Sequence, residues 1–151
     1  MKSLGIAMRI DEIQALWEAD ANIDRMELGN EAIKIPKLHS KYYKIYIDER
    51  LALRKAQADY KVLLKDKQVY YMGGMDKAEL DERGWEQNPI RVLKADLPTY
   101  IDADPDIIKQ ALKIGYQQEK VDFLESVIKT LRERGFNIKS AIEWARFQVG
   151  G

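Results

Sequence analysis

The chain has 151 residues, of which 46% are hydrophobic and 33% charged, and its 25 basic residues balance its 25 acidic ones. This composition is ordinary for one globular domain, and the absence of net charge argues against a protein that coats nucleic acid through overall basicity. The lack of cysteine excludes disulfides and thiol chemistry, and the single histidine, His39, excludes a histidine metal cluster.

No signal peptide is expected at the start of the chain. The segment MKSLGIAMRIDE lacks both the apolar core and the small-residue cleavage site of a signal peptide. The sequence has no run of about 18 apolar residues that could span a membrane. The lack of cysteine fits a cytoplasmic protein. The apolar residues that follow repeat at helical spacing and predict a first helix over residues 8–28. They are Ile10, Ile13, Leu16 and Trp17.

A long basic helix is predicted over residues 41–72. This stretch has no proline or glycine, and it carries eight basic and four acidic side chains. Pro36 breaks the preceding pattern, Ser40 is suited to cap the helix, and Gly73 is suited to end it. A helix of this length extends roughly 46 Å, which is long for a globule of this size. We therefore expect an oligomer in which other subunits cover it.

The side chains of this helix separate into two faces at about 100° per residue. One face, the cationic stripe, consists of Arg50, Arg54, Gln57, Lys61, Lys65 and Gln68. The other face has the coiled-coil spacing of Tyr46, Leu53, Ala56, Tyr60, Leu63 and Tyr70. Lys67 also falls on this second face, where an apolar residue is the default.

Two interpretations of the cationic stripe are open. Basic side chains along one helix face are typical of phosphate binding. The nearby Tyr60, Tyr70 and Tyr71 are suited to stack on unpaired nucleobases. The alternative is a solvated face whose lysines pair with neighbouring acids, with the tyrosines in the core or in an interface. Periodicity alone does not choose between the two.

A small two-stranded β element is predicted after the basic helix. Residues 76–88 are acidic and are predicted to form a loop with one helical turn. Residues 90–95 alternate as a strand does, and residues 99–101 are β-prone beyond a turn at 96–98. Two short strands are marginal alone and need a partner sheet, which another subunit can supply.

Helices are predicted again over residues 104–148, the region expected to build the oligomer. Asp104 followed by Pro105 is a strong helix start. Gly135 is expected to end this helix before a last one over residues 137–148. Apolar side chains on both helices predict the subunit interface. They are Leu124, Ile128, Leu131, Trp144 and Phe147.

The carboxylates Asp102, Asp104 and Asp106 are a candidate metal site, because carboxylates bind hard cations. The helix start accounts for two of them, Asp104 as the cap and Asp106 as a first-turn acid. We therefore predict no metal, no other cofactor and no catalytic residue. The fold expected from these segments is mainly α, with long helices and the two-stranded β element, assembled as a homo-oligomer.

Six segments stand out in chain order: MRIDEIQ at 8–14, ANID at 21–24, IPKLHSKY at 35–42, LKDKQVYYMG at 64–73, VLKAD at 92–96 and RGFNIKSAIEWARF at 134–147. Together they resemble the UvsY family, the recombination mediator proteins of T-even-like bacteriophages and their relatives on cyanobacteria. The resemblance spans nearly the whole chain as a single UvsY-like domain. It starts at Met8, so residues 1–7 are expected to be an N-terminal extension.

The resemblance implies a mediator of DNA recombination and repair that is not an enzyme. Members of the family form closed homo-oligomeric rings of six or seven subunits, hexamers or heptamers, and bind single-stranded DNA. They also contact the phage recombinase UvsX and the phage single-strand-binding protein, which the recombinase must displace. Such a protein acts in the host cell cytoplasm. The alternative is a helical oligomeric scaffold or adaptor without direct DNA binding.

The family's DNA-contacting LKAR motif corresponds by position to Lys65 and Lys67. Lys67 stands where the motif has arginine, and a lysine keeps the charge but loses the two-pronged fork that grips a phosphate. With the cationic stripe, this gives a predicted DNA-binding set of Lys65, Lys67, Lys61, Arg54, Arg50, Tyr70 and Tyr71.

Overall fold

The computed structural model describes residues 8–150, and every regular element in that range is a helix. In chain order the helices are α1 (Ile10–Ala21), α2 (Leu28–Tyr71), α3 (Lys77–Arg83), α4 (Leu97–Asp102) and α5 (Pro105–Gln148). The mainly α part of the predicted fold is confirmed. The predicted extension over residues 1–7 lies outside the described residues. No helix in the described part is long and apolar enough to cross a membrane.

The two-stranded β element predicted over residues 90–95 and 99–101 is wrong. The first segment forms no strand, and the second lies inside α4. Pro98 stands at the start of α4, where its fixed φ favours a helix. Leu97 and Ile101 are buried about one helical turn apart. Burial at helical spacing therefore outweighs the local β propensity of this segment.

The predicted start of the long helix at Ser40 is wrong, because α2 begins at Leu28 and passes through Pro36. A proline inside a helix removes one backbone hydrogen bond and costs about 3 kcal/mol. The side chains of Glu31 before the proline and Tyr42 after it are both buried, and the Tyr42 hydroxyl donates to Asp20 beyond the helix at 2.7 Å. Tertiary packing therefore overrides the local signal to break.

Two other predicted helix ends are confirmed. α2 stops at Tyr71, because Gly73 beyond it adopts a left-handed φ of 76°, a conformation that favours glycine. α5 starts after Asp104, whose Oδ1 accepts the backbone N–H groups of Asp106 at 2.9 Å and of Ile107 at 3.1 Å. In both cases the cause lies within a few residues of the helix end.

Gly135 does not end α5, so the predicted last helix over residues 137–148 is part of the same helix. The glycine keeps a negative φ, and α5 continues to Gln148. Leu131 and Ile138 lie on either side of it and are both buried, so the apolar face passes through the glycine. One glycine costs a helix about 1 kcal/mol, which is too little to end a packed one.

The shorter helices also differ from their predicted bounds. α1 ends at Ala21 instead of continuing to residue 28, because Asp24 closes a turn through its side chain. α3 is longer than the single predicted turn. Asp76 caps it by accepting the Glu79 N–H at 2.8 Å, a signal that the sequence contained.

The chain forms two compact units, and α2 and α5 each contribute to both. The first unit takes the residues up to Ala52 together with those from Gln117 onward, and the second unit is Leu53–Tyr116. Large buried side chains of the first unit include Ile13, Tyr42, Leu124, Val127 and Leu131. The core of the second unit is Val92, Leu97, Ile101 and Ile107, against which Tyr60, Leu63, Leu64 and Tyr71 pack.

Candidate DNA-binding surface

Within the second unit, the cationic stripe lies on an exposed face of α2. Arg54, Lys61 and Lys65 are exposed, as are Gln57 and Gln68. The helical spacing keeps the three bases within a narrow arc over about 16 Å of helix. None of the three forms an ion pair within the described residues. This face therefore presents positive charge that no ion pair among residues 8–150 neutralises.

Arg50, the first base of the stripe, lies in the first unit and is half-buried. Its guanidinium carbon is 5.1 Å from the centre of the Tyr46 ring. Its Nε atom is buried without a hydrogen-bond partner among the described residues. Arg50 therefore differs from the three exposed bases, because its charge is held against an aromatic ring.

Lys67 is buried, with 4% of its surface exposed. Its Nζ lies 3.1 Å from Asp104 Oδ2, 2.9 Å from Asp106 Oδ2 and 4.0 Å from the centre of the Trp85 ring. Residues two apart on a helix point about 200° apart, so Lys65 faces solvent while Lys67 faces the core. A contact with phosphate would require Lys67 to leave this ion pair, and its role in DNA binding stays a prediction.

Asp104 connects Lys67 to the start of α5 and to Tyr71. Besides capping the helix, its carboxylate accepts a hydrogen bond from the Tyr71 hydroxyl at 2.6 Å. Burial by itself raises the pKa of Asp104. Hydrogen bonds from Tyr71 and the Ile107 N–H, with the charge of Lys67, nevertheless hold this pKa below its usual value. Asp104 is therefore ionised opposite Lys67 at neutral pH.

The predicted stacking residues Tyr70 and Tyr71 belong to the same cluster. The Tyr70 hydroxyl donates to the Glu86 carbonyl at 2.5 Å, and its ring packs edge-on against Trp85 with centroids 5.4 Å apart. Burial and the hydrogen bond to Asp104 raise the pKa of Tyr71. Both rings are half-buried and engaged by protein, and their stacking on DNA bases stays a prediction.

Two of the three carboxylates of the candidate metal site form ion pairs within the protein. Asp104 and Asp106 both pair with Lys67, and Asp102 is exposed at the last position of α4. Across residues 8–150, no group of three or more His, Asp or Glu side chains is arranged to hold a metal ion.

The predicted interface residues fall into two groups. Leu124, Ile128 and Leu131 expose 0%, 4% and 1% of their surface and are buried within the first unit. Trp144 and Phe147 are exposed by 60% and 72%, and their rings stack on each other with centroids 5.7 Å apart. The second group is exposed apolar surface. The interface itself stays a prediction.

Sequence reasoning missed the carboxylate partners of Lys67 and a second buried lysine. The Nζ of Lys120 lies 2.5 Å from Glu49 Oε1 and donates to the Met8 carbonyl at 2.6 Å. Both lysines fall at apolar positions of their helices, and a lysine there predicts a buried acidic partner because lysine is almost never fully buried alone. Trp85 gave no such signal, because it lies in a loop without periodicity.

Comparisons with known proteins match this chain along most of its length. The sequence model of the family of the recombination, repair and single-stranded DNA binding protein UvsY matches residues 16–151. The recombination protein uvsY of Enterobacteria phage T4 is 27% identical over 143 residues, which cover 95% of this chain and 99% of the phage protein.

Solved structures agree with the sequence match. A crystal structure of the bacteriophage T4 recombination mediator protein UvsY in lattice type II is similar with a TM-score of 0.81 at 27% identity. The match covers 94% of this chain and 98% of that one. Lattice type I gives a TM-score of 0.78 at 26% identity, covering 91% and 98%. The resemblance found in the motifs is confirmed, and the chain belongs to the UvsY family of recombination, repair and single-stranded DNA binding proteins.

Proposed function

We propose that the chain binds the backbone of single-stranded DNA through Arg54, Lys61 and Lys65 of α2. The observation that carries this proposal is the exposed line of three bases, none of them in an ion pair within the described residues. Charge contacts with phosphate carry no base code, so binding should be indifferent to sequence and weakened by salt. Membership in the UvsY family independently supports the binding of single-stranded DNA.

The bound strand is then passed to a phage recombinase, which replaces the single-strand-binding protein on it. The phage T4 relative is a recombination mediator, and this role suits a surface that holds DNA without reading its bases. A ring of six or seven subunits would present several stripes at once and gain affinity by avidity. The exposed, stacked Trp144 and Phe147 supply apolar surface for such self-association.

Titration of a labelled oligothymidylate at rising salt tests the DNA contact. The double variant Lys61→Ala, Lys65→Ala should bind more weakly. Its plot of log affinity against log salt should be shallower by about 1.4 per subunit, at about 0.7 for each lost phosphate contact. The matched control is Lys55→Ala, since Lys55 is exposed on another face of α2 and pairs with Asp59 at 3.0 Å. This control should keep the native slope.

A double variant with the native slope would place the phosphate contact elsewhere on the chain. A native chain that assembles but binds no DNA would favour the scaffold or adaptor alternative. The mediator step is tested by recombinase filament growth on DNA covered by single-strand-binding protein. The native chain should shorten the lag before growth, and the double variant should not.

A further inference from the structure

A groove in the first unit combines basic and aromatic side chains that the backbone contact of the second unit does not use. It lies between α2 and α5 and has a volume of about 620 Å³, within the range of about 300–1,000 Å³ typical of small-molecule sites. Tyr43, Tyr46 and Arg50 line it from α2, and Lys129 and Arg132 line it from α5.

Arg50 is held in this groove with hydrogen-bonding capacity unused. The guanidinium carbon lies 5.1 Å from the centre of the Tyr46 ring, within the range of a cation–π contact. Its Nε is buried and has no acceptor among the described residues. A buried N–H without an acceptor is unfavourable by about 1–3 kcal/mol, so placing Arg50 in the groove costs free energy.

The charge of the groove favours an anionic group. Arg50, Lys129 and Arg132 give three positive charges, and Asp122 and Glu125 give two negative ones, which leaves a net charge of +1. The Asp122 carboxylate already accepts a hydrogen bond from the side-chain amide of a neighbouring glutamine at 2.8 Å. Lys129 and Arg132 form no ion pair within the described part of the chain.

Tyr43 adds an aromatic surface at the same groove. Its side chain is 39% exposed, whereas Tyr46 is 9% exposed and covered by protein. The Tyr43 ring is stacked on His39 with centroids 5.6 Å apart and an interplanar angle of 13°. An exposed aromatic ring beside several cations is the combination that proteins use to hold a nucleobase and its phosphate in a single strand.

We propose that this groove binds one nucleotide of single-stranded DNA, with the base stacked on Tyr43 and the phosphate on Arg50, Lys129 and Arg132. The proposal rests on the DNA binding proposed above but adds a different contact. The exposed basic side chains of the second unit contact only the DNA backbone, whereas binding in the groove requires a nucleobase. The two contacts therefore respond to different changes in the DNA.

The test compares an oligothymidylate with an abasic strand of the same length, titrated with the full chain. The native chain should prefer the strand that carries bases. Tyr43→Leu should lose at least about fivefold in affinity for the oligothymidylate, since base–aromatic stacking contributes about 1–3 kcal/mol. Its affinity for the abasic strand should not change. Tyr43→Phe is the matched control and should behave as the native chain.

The outcomes separate this proposal from the first one. The double variant Lys61→Ala, Lys65→Ala should lower the affinity for both strands equally and keep the preference for the strand with nucleobases. The double variant Lys129→Gln, Arg132→Gln should reduce that preference. The groove proposal would be wrong if the native chain bound both strands with equal affinity, or if the Tyr43→Leu variant kept the preference. Either result would leave the proposed backbone contact unaffected. A Tyr43→Leu variant with native DNA binding but a smaller assembly in sedimentation would show an interface between copies instead.

Discussion

Each unit contains a buried lysine that pairs with a buried carboxylate, but the two pairs are built differently. In the first unit the side chains of Lys120 and Glu49 are 1% and 8% exposed, and Gln117 also donates to the Glu49 carboxylate at 2.9 Å. In the second unit Lys67 contacts one carboxylate that is 2% exposed, Asp104, and one that is 50% exposed, Asp106. The first pair is enclosed, whereas the second opens to solvent on one side.

This difference determines what happens when one partner is removed. A buried charge without a partner is strongly unfavourable, whereas replacing both partners by apolar side chains of similar volume is often nearly neutral. Enclosure leaves Lys120 and Glu49 no access to water, while Asp106 can be hydrated when Lys67 is lost. Each lysine pairs with a buried carboxylate of its own unit. Lys65 is exposed and pairs with no carboxylate among the described residues.

The largest effect is expected from Glu49→Leu, which leaves the charge of Lys120 buried and without this carboxylate. The free energy of unfolding should fall by about 3–5 kcal/mol. Adding Lys120→Met should restore most of the loss, because the double variant removes both charges. Urea unfolding followed by circular dichroism measures all three proteins. A double variant as unstable as Glu49→Leu would mean that packing, and not the buried charge, causes the loss.

Lys67→Met should have a smaller effect, a loss of about 1.5–3 kcal/mol. The Tyr71 hydroxyl and the first N–H groups of α5 still bind the Asp104 carboxylate in this variant. DNA binding should keep its native salt slope, whereas Lys65→Ala should lower the slope and leave stability unchanged. The reverse pattern, a stable Lys67→Met variant with a reduced slope, would show that Lys67 reaches the DNA after all.

The anomaly at Lys67 was visible in the sequence, but its cause was not. A lysine on an apolar face indicates either a ligand contact or a buried partner, and the choice depends on residues far along the chain, Trp85, Asp104 and Asp106. Helix signals with a local cause, such as Asp104 before Pro105 and the left-handed Gly73, were predicted correctly.

The sequence did not predict where packing carries a helix past a residue that normally ends one. Pro36 and Gly135 both mark helix ends in the sequence, yet buried side chains on either side carry α2 and α5 through them. The exposed bases of α2 were predictable from helical spacing alone. The separation of Arg50 from them was not, because it depends on where the Tyr46 ring packs.

Acid should weaken the second unit through Asp104. Its pKa in the folded chain is below the usual value, so the carboxylate contributes stability that is present above about pH 4 and is lost as the pH falls through the folded pKa. Asp104→Asn should flatten this dependence in unfolding curves measured from about pH 5 downward. At neutral pH it should lose less stability than Lys67→Met, since asparagine also caps a helix.

Part of the acid sensitivity should survive in Asp104→Asn because of Asp20 in the first unit. Burial raises the pKa of Asp20, but hydrogen bonds from Lys41 and Tyr42 outweigh this and lower it. Asp20→Asn should therefore remove a separate part of the same pH dependence, and the two effects should add if the carboxylates act independently. If one of these single variants abolished the whole pH dependence of stability, the two carboxylates would not act independently.

The smallest effect is expected from Asp106→Asn, the half-exposed partner of Lys67. Its ion pair is as short as that of Asp104, 2.9 Å against 3.1 Å, so distance alone would predict equal losses. Water screens the exposed carboxylate, and exposed ion pairs contribute about 0–1 kcal/mol. Urea unfolding at neutral pH should therefore show Asp106→Asn within about 1 kcal/mol of the native chain and clearly above Lys67→Met. Equal losses in the two variants would mean that Asp106 shares the enclosure of Asp104, and that the two buried lysines are held in the same way.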